Sequence, residues 1–179
     1  QFWGYSDLTT VLNAIYAKTG QTGVLYQIRN VLYKERKQQM TDVRDVLCEG
    51  CDALYRIDYH YVQGTEMHGI IVGGNIRCFL KLSGTAYMPD LNGKILLLES
   101  RSGTVARMET YLSQLQQIGA FEQIAGILLG TFTEMEAKQC MPDIVQLVKK
   151  YVRKTMPIAV TKQIGHGTDA KGIVIGGEL

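Results

Sequence analysis

The chain has 179 residues, 46% of them hydrophobic and 20% charged, the balance of a folded globular protein and not of a disordered one. A net charge of +2 is too small to build a nucleic-acid surface, and no apolar run approaches the ~20 residues that span a bilayer, so neither nucleic acid nor membrane is an expected partner. Four cysteines (Cys48, Cys51, Cys78 and Cys140) are too sparse for a disulfide scaffold, which makes a reducing cytoplasm the expected location.

The chain opens Gln1-Phe2-Trp3-Gly4 without an initiator Met and reads as a piece of a longer protein cut close to a strand. Phe2-Trp3 is a strand stub, followed by a tight turn at Gly4-Tyr5-Ser6-Asp7. Leu8, Val11, Leu12 and Ile15 then recur at helical spacing until Gly20. Val24 to Gln38 carries a weaker helical pattern, and Thr41-Asp42 has the chemistry of an N-terminal cap for a short helix containing Val43, Val46 and Leu47. From Asp52 to Tyr61 the period changes to two, the mark of a half-buried strand. That change places an expected domain boundary near Cys51, dividing the chain into residues 1–50 and 51–179.

Met67 to Val72 is the next expected strand, closed by Gly73-Gly74, and a helix bearing Ile76, Phe79, Leu80 and Leu82 follows. Lys94 to Leu98 is apolar without interruption, as in a central strand covered on both faces, with Glu99 at its C-terminal edge. An amphipathic helix runs from Val105 past Leu115 to Gly119, and Ile124 to Leu129 is a buried strand stopped by Gly130. Pro142 suits the first turn of a helix carrying Ile144, Leu147, Val148, Tyr151 and Val152. Pro157 to Val160, the loop Gly165-His166-Gly167 and a last strand, Ile173 to Ile175, complete an alternation that indicates an α/β fold.

Three residues have the chemistry of a hydrolytic triad. Ser6 lies in a sharp strand-to-helix turn, which exposes a hydroxyl near the positive end of the helix that follows. Taken alone, the same turn is explained more simply by Ser6 or Asp7 capping that helix, since Ser and Asp are the commonest capping residues. Glu99 stands just past a buried strand, where open α/β sheets place their sites, although pairing with Arg101 or Arg107 accounts for it too. His166 is flanked by glycines that leave its imidazole unobstructed, whereas His60 and His68 have the setting of solvated or structural histidines. The chain order serine, acid, histidine is that of the α/β-hydrolases.

The segments GYSDLTTVLNAIY (Gly4 to Tyr16), GIIVGGNIRCFLKLSGTAYMPDLNGKILLLES (Gly69 to Ser100), METYLSQLQQIGAFEQIAGILLGTF (Met108 to Phe132) and IGHG (Ile164 to Gly167) resemble the L,D-carboxypeptidases, or muramoyltetrapeptide carboxypeptidases. The resemblance implies a remnant of an N-terminal Rossmann-like domain followed by a C-terminal swivelling β/β/α-type domain. It implies Ser6 as nucleophile, His166 as general base and Glu99 as its orienting acid. It also assigns the Asp7 backbone N–H to the oxyanion hole, with Gly74 and Asn75 at the oxyanion or substrate-binding site. The implied substrate is a murein peptide losing its terminal D-Ala, the implied assembly a homodimer, and no metal or cofactor is needed. Relatives of the same fold cleave microcin-type peptide–nucleotide conjugates, and a non-catalytic binding or dimerisation domain is the remaining alternative.

The sequence departs from the family in three places. No glycine-rich loop precedes Ser6, no Gly-Pro follows the first helix, and Ser100 stands where Asp is common. Because a nucleophile turn needs a sheet beneath it, the expectation is that these residues alone are inactive. Cys48-Glu49-Gly50-Cys51 has no second pair to complete a four-ligand zinc site and reads as incidental.

Overall fold

A strand that is apolar at every position must be covered on both faces, and the run ahead of Glu99 organises the molecule accordingly. The computed structural model describes residues 2–33 and 37–179. Its elements in chain order are β1 (Phe2–Gly4), α1 (Thr9–Thr19), β2 (Gly23–Leu25), α2 (Lys37–Glu49), β3 (His60–Gln63), β4 (Ile71–Asn75), α3 (Ile76–Leu80), β5 (Ile95–Ser100), α4 (Val105–Gln117), α5 (Ala120–Gln123), β6 (Gly126–Phe132), α6 (Thr133–Ala137), α7 (Ile144–Lys149), β7 (Ile158–Val160) and β8 (Ile173–Ile175). Short 3-10 turns occupy Ser6–Leu8 and Ile28–Leu32.

Two sheets result. The larger has the order β3-β7-β6-β5-β4, parallel throughout except for antiparallel β3 at its edge. The smaller has the order β1-β2-β8, in which β8 returns from the far end of the chain to pair antiparallel with β2. The mixed α/β architecture expected from the alternation is therefore present.

The period of two along β5 sorts its side chains between two cores. Leu96 and Leu98 join Phe79, Met108, Leu112 and Leu115 under the helices. Ile95 and Leu97 point the other way, toward Leu12 of α1, Leu25 of β2 and Ile173 and Ile175 of β8. Continuing the alternation, Glu99 emerges on this second side, in the seam between the two sheets.

Several boundaries differ from the sequence reading. Gly73 and Gly74 do not close a strand but lie inside β4, paired with Leu97 and Leu98. Their φ angles are 102° and 129°, and a Cβ on Gly74 would come within 2.8 Å of Thr9 Oγ1. Gly74 therefore marks the close approach of α1 to the sheet, a Cβ on Gly73 would meet the Leu97 carbonyl of β5, and neither marks the end of the strand. Likewise β6 runs through Gly130 to Phe132, with a bulge relative to β5 beside Glu99.

The alternating segment Asp52 to Tyr61 yields only β3, because the Tyr55 and Arg56 amides turn back onto the Asp52 carbonyl before pairing with β7 begins. Val24 to Gln38 takes in β2, a 3-10 turn and the first two residues of α2, with residues 34–36 outside the described set. Asp42 is interior to α2, where its carboxylate accepts from Gln38 one turn earlier, so it caps nothing. The helix after β4 ends at Leu80 and not Leu82. The cap of α7 is Asp143, whose side chain and Gln146 form a reciprocal capping box. Pro142 precedes that cap, and Tyr151 and Val152 pack on the core from beyond the helix end.

Candidate active site

The turn after β1 places Ser6 at φ 51°, in the left-handed region that L side chains seldom occupy. This strain is what a sharp strand-to-helix elbow demands. Gly4 makes the turn possible, since a Cβ there would stand 2.7 Å from Leu8 Cβ. Asp7 follows at the start of the 3-10 turn, where a backbone N–H has no acceptor inside the helix. The Asp7 carboxylate itself faces away, toward Arg77 at 2.8 Å and the Cys78 thiol at 2.9 Å. Hydrogen bonding from Cys78 first, then the charges of Lys81 and Arg77, hold it below the usual carboxylate range.

Three chain-distant residues meet at this turn. His166 Nε2 lies 3.3 Å from Ser6 Oγ, and its Nδ1 lies 2.8 Å from Glu99 Oε2. A distance of 3.3 Å is within the loose geometry common before substrate tightens a site. Glu99 is 2% exposed, so its carboxylate has little solvent to share and depends on its partners. Its second oxygen accepts from Asn75 Nδ2 at 3.0 Å. Asn75 sits directly across from Glu99 in the β4–β5 register, and its Oδ1 accepts from the Cys78 N–H to cap α3. Neither Arg101 nor Arg107 pairs with Glu99.

Buried polar side chains hold the elbow against the sheet. Asn13 of α1 donates to the Gly73 and Thr9 carbonyls and accepts from the Gly73 N–H, each at 2.8 Å. Thr9 Oγ1 accepts from the Asn75 N–H at 3.1 Å. The histidine loop is fastened by Ile164, whose carbonyl accepts from the Thr131 N–H at 2.8 Å. Tyr5 stacks obliquely on His166 with ring centroids 4.7 Å apart, and its hydroxyl donates to the Gly165 carbonyl at 3.4 Å. Burial, with the Glu99 charge adding to it, pushes the Tyr5 hydroxyl far up, so it remains a neutral donor. Burial also raises the Cys78 thiol, which stays protonated on Asp7 and offers no competing nucleophile.

Ser6 and His166 open into a cleft of about 440 Å³ whose wall includes Trp3, Tyr26, Arg29 and Arg101. The structure thus brings Ser6, Glu99 and His166 together. It places Gly74 and Asn75 beneath them: Asn75 supports the acid, and Gly74 admits Thr9. His60 and His68 are exposed and remote from this constellation, and Cys48 and Cys51 are exposed free thiols. Sequence reasoning missed Thr9, Asn13 and Tyr5. The signal for the first two was a pair of polar residues one turn apart on a helix face that should be apolar.

The family model for the LD-carboxypeptidase C-terminal domain matches residues 68–179. A protein of Bacillus subtilis named a probable murein peptide carboxypeptidase is 26% identical over 98% of this chain and 57% of its own length. The microcin C7 self-immunity protein of Escherichia coli is 26% identical over 71% of this chain and 46% of its own. The crystal structure of muramoyltetrapeptide carboxypeptidase from Oxalobacter formigenes superposes with a TM-score of 0.79 at 19% identity, over 99% of this chain and 62% of that one. The chain thus spans roughly half to three fifths of the length of these proteins, and the structural likeness shows the fold.

Proposed function

The chain belongs to the LD-carboxypeptidase family, and on that premise we propose that it carries the triad of a serine-type L,D-carboxypeptidase that releases D-Ala from murein tetrapeptide. The observation that carries the reading is the hydrogen-bonded line Ser6–His166–Glu99, drawn from three separate parts of the chain. His166 takes the Ser6 proton as Oγ attacks the carbonyl carbon of the amide between an L-configured centre and the terminal D-residue. The resulting oxyanion faces the Asp7 N–H, a kind of donor worth roughly 3–4 kcal/mol to the transition state. His166 then protonates the leaving amine, and the C–N bond breaks to leave an acyl-Ser6 ester. Water, deprotonated by His166, hydrolyses the ester and restores Ser6. Throughout, Glu99 accepts from Nδ1–H, keeps Nε2 free as the base and stabilises the imidazolium.

A second reading, cleavage of a microcin-type peptide–nucleotide conjugate, has support in the 26% identity shared with both the murein-directed and the self-immunity relatives. Two further parts of the proposal are a cytoplasmic setting, which rests on the sparse cysteines, and a homodimer, which rests on the family and is measurable by sedimentation. The chemistry is tested by incubating the protein at its full natural length with murein tetrapeptide and with an aminoacyl sulfamoyl nucleoside, following products by mass spectrometry. D-Ala release that disappears in Ser6→Ala supports the first reading. Release by Ser6→Ala at the wild-type rate removes Ser6 from the mechanism.

A further inference from the structure

Two guanidinium groups border the cleft into which Ser6 opens. Arg101 follows Glu99 by two residues, and Arg29 projects from the 3-10 turn after β2; both line the cleft together with Ser6 and His166. No residue of that lining is acidic. Among the other described arginines, Arg44 rests on Asp45, Arg56 on Asp52 and Arg77 on Asp7, while Arg107 and Arg153 lie outside this cleft. Arg29 and Arg101 make no ion pair among the described residues. Their charge reaches into the site all the same, since both favour the ionised form of Tyr5 against the burial that opposes it.

Their backbones are held to the same framework as the triad. The Arg101 carbonyl accepts from the Glu134 N–H at the start of α6, and the neighbouring Ser100 hydroxyl is tied to the Ser102 carbonyl. Beside Arg29, buried Asn30 donates to the Gly167 carbonyl of the histidine loop and accepts from Gln27. Two unpaired cations held on anchored backbone beside a nucleophile make a receptor for an anion. The guanidinium fork matches a carboxylate in shape and charge. In a carboxypeptidase substrate only one residue separates the scissile carbonyl from the terminal carboxylate, so a cation one side chain away from Ser6 suffices to read it.

We propose that Arg29 and Arg101 together bind the free α-carboxylate of the leaving amino acid, and so restrict cleavage at Ser6 to the last peptide bond of the substrate. This rests on the Ser6 reading above. The test compares a tetrapeptide ending in a free acid with its C-terminal amide, using the full-length wild type, Arg29→Gln, Arg101→Gln and the double variant. Labelling of Ser6 by a fluorophosphonate, which carries no carboxylate, controls for the fold and the triad. The wild type is expected to prefer the acid by about 10- to 100-fold in kcat/KM, the range of charge-assisted hydrogen bonds. Each single variant loses part of that preference through KM, and the double variant cleaves acid and amide alike with labelling unchanged. Variants that keep the wild-type preference overturn the proposal, as do variants whose labelling falls in parallel with their activity. A wild type inert to both peptides overturns the peptidase reading instead. The arginine receptor then stands only if the acid peptide, and not the amide, slows Ser6 labelling in the wild type but not in the double variant.

Discussion

Replacing Glu99 by glutamine is nearly isosteric, yet the hydrogen bonds around it dictate the result. Asn75 Oδ1 is committed to the Cys78 N–H, so Asn75 must present its amide N–H to residue 99. A glutamine there is obliged to turn its carbonyl oxygen toward Asn75 and its NH2 toward His166 Nδ1. The imidazole is thereby driven into the tautomer with the proton on Nε2, facing Ser6, where it can no longer act as a base. Both the imidazolium partner and the correct tautomer are lost, an expected fall of about 10⁴ in kcat, or roughly 5.5 kcal/mol. Adding Asn75→Asp reverses the polarity of the contact. The new carboxylate accepts from the introduced glutamine amide, still caps α3, and lets the glutamine oxygen accept from Nδ1–H. The neutral bond is weaker than the original by about 1–2 kcal/mol, so the double variant regains on the order of a thousandfold. Rates of Ser6 labelling by a fluorophosphonate and of D-Ala release report the effect. They are read well below the Tm of each variant, because Asn75→Asp adds a buried charge. A Glu99→Gln protein within tenfold of wild type, or a folded double variant no faster than Glu99→Gln, refutes the reasoning.

Gly165→Ala places a methyl group against Thr131 Oγ1 at a φ of 139°, so the histidine loop must move. Labelling of Ser6 should drop by at least about a hundredfold, because a small misplacement is costly to catalysis, and the Tm should fall as well, because the strained backbone costs about 1–3 kcal/mol; a wild-type labelling rate contradicts this. Asn13→Ala strands the buried N–H and carbonyl of Gly73 without partners, a loss of about 3 kcal/mol that lowers Tm by roughly 6–12 °C in thermal melts. In alkali, Tyr26 sets a slope. Burial first, and the Asp42 charge second, push its hydroxyl from 10.0 up to about 12. A raised pKa contributes stability that is complete below pH 10, where the unfolded chain is still neutral, and is lost as pH climbs toward 12. Urea midpoints for Tyr26→Phe should therefore fall less steeply than wild type between pH 10 and 12, and parallel curves would show that Tyr26 is not the group responsible.

The apolar run before Glu99 was legible as a doubly covered strand because hydrophobicity is a property of each residue taken singly. The same holds for the helix from Val105, whose period needs no partner to be seen. The glycines at 73 and 74 were misread as a stop, since what they make room for lies far off in the chain: the Leu97 carbonyl of β5 for Gly73, and for Gly74 the side chain of Thr9, 65 residues earlier. The alternation from Asp52 to Tyr61 failed for a related reason: a strand forms only where a neighbour offers its ladder, and β7 offers three residues. The identity of Ser6, Glu99 and His166 as candidates came from local settings (a tight turn, a strand end, a glycine-flanked loop), each compatible with a bland role.

Sequence alone determined the α/β class and the covered central strand, and it singled out Ser6, Glu99 and His166 as candidates. Tertiary structure decided that they converge, that Asn75 hydrogen-bonds Glu99, and that Arg29 and Arg101, without an ion pair among the described residues, border the cleft at Ser6. The division has a physical basis. Burial and periodicity are encoded along the chain, whereas a hydrogen bond of 2.8 Å between residues 67 apart exists only once the sheets are stacked.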